Sequence, residues 1–184
     1  KAARVIVSEY GGDFPADYEK LLSLPGLGHY TAGAVSSIAF GIPMPAVDGN
    51  VLRVLSRVTA SYEDVLKQSV KTAMEAEVKK IIPADRAGDF NQALIEIGAI
   101  VCVPNGKAKC EICPLAFLCE AYKKGIVDEL PKKKVKRERR IEDRTILILK
   151  EGDRVGIRKR PSKGLLAGLY ELPGLEGHLS EEEV

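Results

Sequence analysis

The stretch Leu24-Pro25-Gly26-Leu27-Gly28-His29-Tyr30-Thr31-Ala32 decides the fold of the first part of the chain. The segment before it, 17–24, has the apolar spacing of a short helix, and the apolar stripe over 32–40 predicts a second helix. Two glycines two residues apart let backbone amides approach an anion without a Cβ in the way. A helix N-terminus adds free amides and a field that favours negative charge, so a phosphate suits this loop.

A G-x-G pair alone is more typical of a plain turn between helices. Here a helix, a Pro-Gly-x-Gly hairpin and a second helix follow one another, which is the pattern of the helix–hairpin–helix motif that binds the DNA backbone. The sequence therefore predicts a contact with nucleic acid at this hairpin.

Composition places the chain among ordinary globular proteins. It has 184 residues, of which 45% are hydrophobic and 29% charged, so it can build a core and is not disordered as a whole. The longest uncharged stretch, Tyr30–Ala46, is too short and too broken by polar residues to span a bilayer. The net charge of +2 is small and says little about partners. The distribution of the basic residues along the chain is more informative.

The hydrophobic period changes once along the chain. Helical stripes over 51–58, 64–82 and 90–101 predict a mainly α-helical domain over 1–122, whereas 144–150 and 154–160 have the alternation of strands. Between them, Lys132–Arg140 holds seven basic residues and one acid, which is typical of a solvated linker, here placed at 123–143. The remaining residues, 144–184, are few for an independent domain, and we expect the start of a truncated α+β piece.

Asp48 stands in the loop Ala46-Val47-Asp48-Gly49-Asn50-Val51, between two apolar helical stripes. Capping of the next helix is the commoner role for an aspartate in such a position. The alternative is that Asp48 faces a cleft beside DNA and stabilises the positive charge that develops on a sugar as its glycosidic bond breaks.

All four cysteines, Cys102, Cys110, Cys113 and Cys119, lie within 18 residues. This clustering argues against a disulfide framework and for a metal or cluster site in a reducing compartment. Ligand count does not separate zinc from iron–sulfur. The single C-x-x-C turn and the long, uneven other gaps favour iron–sulfur.

Hairpin, aspartate loop and four-cysteine segment, in this order, resemble the helix–hairpin–helix base-excision DNA glycosylases over about Lys1–Tyr122. Within this superfamily the chain is similar to the MutY-type adenine branch, which acts on adenine opposite 8-oxoguanine. Tyr30 stands where the endonuclease III branch has its lyase lysine, and Val47–Val51 has the adenine-branch form of the loop. Residues 158–173 are similar to the opening of the Nudix-like domain that reads 8-oxoguanine.

The resemblance implies hydrolysis of the N-glycosidic bond of adenine mispaired with 8-oxoguanine or guanine in double-stranded DNA, without strand cleavage. Asp48 would stabilise or transiently bond the sugar, Asn50 would position that chemistry, and Tyr30 would lie against the extruded nucleotide. The four cysteines would hold a 4Fe–4S cluster. DNA contacts would come from Gly26, Leu27, Gly28, Tyr30, Thr31, Lys107 and Lys109. We expect a cytoplasmic, nucleoid-associated monomer with no membrane contact.

Two departures from the family pattern qualify these expectations. Seven residues, Val103–Lys109, separate the first two cysteines, where the family usually has six. None of the early acids, Glu9, Asp13, Asp17 and Glu19, matches the upstream glutamate that serves as the family's general acid, so we expect an inactive fragment. The alternatives are an endonuclease III-like glycosylase/lyase and a non-catalytic iron–sulfur or zinc DNA-binding module. A redox role of the cysteines is a further possibility.

Overall fold

The computed structural model describes residues 1–134 and 141–183, and the chain divides into two compact units, Lys1–Val135 and Lys136–Val184. The first unit is helical and the second contains short strands, so the expected mainly α-helical fold is confirmed. Within the described residues, no helix has the length and apolar character needed to cross a membrane.

Over the described residues 1–134, the first unit contains seven α-helices: α1 Ala2–Tyr10, α2 Tyr18–Ser23, α3 His29–Ala34, α4 Gly49–Val58, α5 Gln68–Ile81, α6 Ala87–Glu96 and α7 Glu120–Lys123. Two of them, α3 and α6, continue as single π-helical turns over Val35–Ala39 and Ile97–Val101. Short 3₁₀ turns follow at Cys110–Ile112 and Val127–Glu129.

Aspartate side chains help to set the first residues of α2 and α5. Asp17 accepts a hydrogen bond from Lys20 N (2.9 Å) and starts α2. Asp64, where the helical stripe of the sequence begins, instead accepts a bond from Leu66 N (3.0 Å) in a local turn. For this reason α5 begins only at Gln68.

The core of the helical unit has two apolar clusters. The larger cluster surrounds α4 and contains Val47, Val51, Leu52, Val54, Val65, Val78 and Leu94. The smaller cluster joins α1, α2 and α3 through Ile6, Leu21, Leu24 and Ala32. The hairpin therefore rests on one cluster and the loop of Asp48 on the other.

Residues 123–134, for which the sequence predicts a linker, pack within the helical unit. Arg57 Nε donates to the carbonyls of Val127 (3.0 Å) and Leu130 (2.9 Å), and Val65 N donates to Lys132 O (3.2 Å). The start of the basic run is thus held on the helices, and its remainder, 135–140, lies outside the described residues.

The described part of the second unit, 141–183, contains six short strands in three antiparallel pairs: β1 Arg144–Ile146 with β6 Gly174–Glu176, β2 Lys150–Glu151 with β3 Arg154–Val155, and β4 Arg158–Lys159 with β5 Tyr170–Glu171. The expected strand over 144–150 is divided in two, because its first half pairs with β6 and its second half with β3. The expected turn at 151–153 is present, with Gly152 at φ 55°. None of the described residues from 141 to 183 is buried.

Candidate active site

The hairpin between α2 and α3 presents an open backbone surface. Leu27 N donates to Leu24 O (3.1 Å), and Gly26 has φ 91°, a conformation that favours glycine. A Cβ added at Gly26 or Gly28 would meet no atom within 4 Å, so both glycines leave room for an incoming group. Beside them, Tyr18 Oη and His29 Nδ1 lie 2.9 Å apart and join α2 to the first residue of α3.

The carboxylate of Asp48 is held by three N–H donors. Its Oδ1 accepts bonds from the amides of Asn50 (2.8 Å) and Val51 (2.9 Å), which makes Asp48 the N-cap of α4. Its Oδ2 accepts a bond from Asn50 Nδ2 (2.8 Å). Capping and a role in a site are therefore compatible in this residue, because only one donor occupies Oδ2.

Asn50 is in turn held by the guanidinium of Arg53. Arg53 Nη2 donates to Asn50 Oδ1 (2.9 Å) and to Gly98 O (2.6 Å), and Nε donates to Cys102 O (2.6 Å). Asn50 can pack this closely against residue 98 because residue 98 is glycine: a Cβ there would lie 2.6 Å from Asn50 Cβ. A continuous chain of hydrogen bonds thus connects the Asp48 carboxylate with the first cysteine.

A buried amide on α6 holds the loop that leads to Asp48. Asn91 is 1% exposed; its Oδ1 accepts a bond from Ala46 N (3.1 Å). Its Nδ2 donates to Met44 O (2.9 Å) and to Ser37 Oγ (2.8 Å). The sequence shows Asn91 only as one polar position inside an apolar helical stripe, and nothing in that stripe indicates its partners.

Tyr30 and Asp48 line one open cleft, although Asp48 follows Tyr30 by 18 residues. Its apolar wall includes Leu52, Val65 and Leu66. Two lysines also line it: Lys71 from the first turn of α5, and Lys133 from the segment after α7. Sequence reasoning missed both, because Lys71 lies in an amphipathic helix and Lys133 in a run that is typical of a linker.

The four cysteines line a second, smaller pocket together with Arg57. All four are free thiols. Burial raises the pKa of the Cys110 and Cys113 thiols, and the neighbouring Cys102 and Cys119 raise both further. Arg57 Nη1 lies 3.2 Å from Cys102 Sγ. Across residues 1–134 and 141–183, no group of three or more Cys, His, Asp or Glu side chains is placed to hold a single metal ion.

The two lysines predicted on the cysteine loop are both exposed. Lys109 lies at the wall of the cysteine cavity, and Lys107 lines a neighbouring depression with Cys110 and Glu111. Neither lysine lines the cleft of Asp48. Thr31 follows Tyr30 in the first turn of α3 and is exposed with it.

A family model described as a helix-hairpin-helix motif matches residues 9–38, which contain α2, the hairpin and α3. The chain is 35% identical over 193 residues to the adenine DNA glycosylase of Schizosaccharomyces pombe, a match that covers 83% of the chain. It is 33% identical over 229 residues to the adenine DNA glycosylase of Homo sapiens, which covers 99% of the chain. The chain is a homologue of the adenine DNA glycosylases. The family resemblance seen in the sequence is thereby confirmed.

The glycosylase homologue spans 42% of the length of each of these two relatives. It is also similar to endonuclease III in a trapped covalent DNA intermediate with an estranged adenine, at a TM-score of 0.55 and 34% identity. That similarity covers 68% of this chain and 57% of endonuclease III. Both branches weighed from the sequence therefore share this fold.

Proposed function

We propose that this chain carries the DNA-docking hairpin and the catalytic carboxylate of an enzyme that removes adenine from pairs with 8-oxoguanine or guanine. One observation carries the proposal. The Asp48 carboxylate, which three N–H donors fix, lines the same cleft as Tyr30, and Tyr30 lies in the first turn of the helix that follows the exposed hairpin. The adenine substrate is supported by the identity to the two adenine DNA glycosylases.

The proposed chemistry follows from where charge develops. Departure of a base from deoxyribose leaves positive charge on the sugar, and a carboxylate positioned beside the anomeric carbon stabilises it. The two backbone amides on Oδ1 fix the orientation of Asp48, and Oδ2 accepts one further bond, from Asn50 Nδ2. The adenine must first leave the base stack, at a cost of about a few kcal/mol.

Tyr30 supports hydrolysis without strand cleavage. Strand cleavage by a glycosylase/lyase needs an amine that bonds to the sugar, and a phenol cannot form that Schiff base. In the proposed complex, Tyr30 packs against the extruded nucleotide, and the amides of Gly26, Leu27 and Gly28 with Thr31 bind the phosphate backbone. Lys107 and Lys109 would bind further phosphates at the cysteine loop.

We propose a 4Fe–4S cluster as the cofactor, and the proposal is supported by the four cysteines that line one cavity. Four thiols surround one cavity, and each can supply the thiolate that iron–sulfur clusters require. Cys102, Cys110, Cys113 and Cys119 would hold it, and a bound cluster would cross-link the loop that carries Lys107 and Lys109. Iron and sulfide analysis of anaerobically purified protein would support the cluster; stoichiometric zinc without sulfide would overturn it.

The activity is tested with the natural full-length protein and a duplex that holds one adenine opposite 8-oxoguanine. We expect strand scission only after hot alkali, since base removal leaves an abasic site that alkali cleaves. Asp48→Asn should lower base release by at least about 100-fold and leave duplex binding in place. Asp17→Asn, which alters the N-cap of α2, is the matched control and should retain activity.

Three results would redirect the assignment. Scission without alkali would favour an endonuclease III-like glycosylase/lyase, whose fold this chain shares. An intact adenine strand together with tight duplex binding would indicate a non-catalytic docking module. Equal loss of binding and base release in Asp48→Asn would leave Asp48 as a structural cap alone.

An enzyme of this class would act where the genome lies, as a cytoplasmic, nucleoid-associated monomer.

A further inference from the structure

The cleft of Asp48 is lined by one carboxylate and two ammonium groups from different parts of the chain. Lys71 belongs to the first turn of α5, and Lys133 follows the segment 127–132 that packs on α4. The apolar wall and Asp48 suit an extruded nucleoside, but a carboxylate alone would repel the phosphates on either side of that nucleoside. With two lysines and one aspartate, the charged side chains that line the cleft carry a net positive formal charge.

The position of Lys133 is set by the helical unit. Arg57 binds the carbonyls of Val127 and Leu130, and Val65 N binds Lys132 O, one residue before Lys133. The hydrogen bond from Val65 N, in the α4–α5 loop, holds the backbone of Lys132 next to the cleft. Lys133 is therefore part of the cleft wall.

The neighbouring Lys132 is occupied elsewhere. Its Nζ lies 5.1 Å from the centre of the Tyr62 ring and 3.9 Å from a Glu129 oxygen, which in turn accepts a bond from Tyr62 Oη (2.9 Å). Lys132 and Lys133 thus differ in surroundings although they are adjacent and of one type. This difference provides a matched control within the basic run.

Lys71 also differs from the other lysines of its helix. It is half-buried against the cleft, whereas Lys79 and Lys80 at the far end of α5 are exposed, and Lys80 pairs with Glu77 (2.6 Å). A lysine that buries its stem along an apolar wall keeps its ammonium group at the edge of that wall. Lys71 therefore contributes a positive charge to the lining of the cleft.

We propose that Lys71 and Lys133 bind the DNA phosphates that flank the nucleotide entering the cleft of Asp48. The inference rests on the proposed DNA-glycosylase function and adds to it a phosphate site separate from the hairpin and the cysteine loop. Contacts of this kind set the position of the duplex and carry no base specificity. Phosphate contacts at this site would help to hold the sugar of the extruded nucleotide beside Asp48, which lines the same cleft.

The test is the salt dependence of duplex binding, measured by fluorescence anisotropy with a labelled duplex that holds adenine opposite 8-oxoguanine. Each phosphate contact contributes about 0.9 to the slope of log K against log salt. Lys71→Gln and Lys133→Gln should each reduce the slope by about 0.9, and the double variant by about 1.8. Between about 50 and 200 mM salt, each lost contact removes a factor of about 3 from the fall in affinity.

Lys132→Gln and Lys79→Gln are the controls, and neither should change the slope. An unchanged slope in the double variant would overturn the phosphate site while leaving the proposed function intact. A slope change in Lys132→Gln as large as that in Lys133→Gln would also overturn it, because general basic charge would then explain the effect. Failure of the unsubstituted protein to bind any duplex would overturn the proposed function itself.

Discussion

Replacement of Asn91 by leucine tests how the loop of Asp48 is held. The substitution keeps a side chain of similar size and removes all three hydrogen bonds of the amide. Ser37 Oγ keeps a partner, since it also donates to Gly33 O (2.8 Å). Ala46 N and Met44 O lose theirs, and both lie in the loop that ends at Asp48.

Each polar group left unpaired in a protein interior costs about 1–3 kcal/mol, so two such groups predict a loss of about 2–6 kcal/mol. A domain of this size is stable by only about 5–15 kcal/mol, which makes the loss easy to measure. Asp48 follows Ala46 by two residues, so a loop that relaxes around Ala46 also displaces the carboxylate. A displacement of about 1 Å can lower a catalysed rate about 100-fold.

Urea unfolding measures the loss in the free energy of unfolding. Single-turnover base release by the full-length protein, at saturating enzyme, measures the loss in catalytic rate. Gln92→Leu is the control, since Gln92 is exposed on the same helix and makes only one weak bond, to Gly88 O (3.4 Å). A loss below about 1 kcal/mol in Asn91→Leu, or equal losses in both variants, would refute the reasoning. A stability loss with unchanged single-turnover rate would show that Asn91 supports the fold without positioning Asp48.

Three further predictions follow from contacts in the helical unit. Gly33→Ala would place a Cβ 1.9 Å from Pro45 O and should abolish soluble folded protein on expression, whereas Gly49→Ala meets no atom within 4 Å and should express normally. Arg53→Gln removes the arginine donor from the Asn50 amide that holds the proposed catalytic carboxylate of Asp48, and base release measured in single turnover should fall about 10- to 100-fold. Arg57→Lys frees the carbonyls of the segment before Lys133, and limited trypsin digestion should cleave after Lys132 faster than in the unsubstituted protein.

The sequence predicted the parts of the site that depend on local pattern. The hairpin follows from two glycines and the helices beside them, and the loop of Asp48 follows from two apolar stripes that leave it between α3 and α4. The observation that Tyr30 and Asp48 line one cleft also agrees with the resemblance from which their roles were inferred. These features need only neighbouring residues, which a single sequence displays.

Features that depend on distant contacts were not predictable. Lys71 and Lys133 reach the cleft because α5 and the segment after α7 pack on α4, and neither lysine belongs to a motif. Asn91 binds backbone groups 45 and 47 residues away and the Ser37 hydroxyl 54 residues away, and the packing of α6 on the turn after α3 brings them together. The π-helical turns after α3 and α6 were not predicted, because their apolar residues continue the stripes of the helices before them.

The absence of buried residues from 141 to 183 has a consequence for unfolding. Strands of two or three residues without a covered apolar side chain open individually, so their amides should exchange with deuterium at rates close to those of a free peptide. Heat unfolding should therefore be governed by the helical unit, with a calorimetric enthalpy of roughly 90 kcal/mol for its roughly 130 residues. The two parts of this chain should differ in protection by orders of magnitude, with the most slowly exchanging amides in α4.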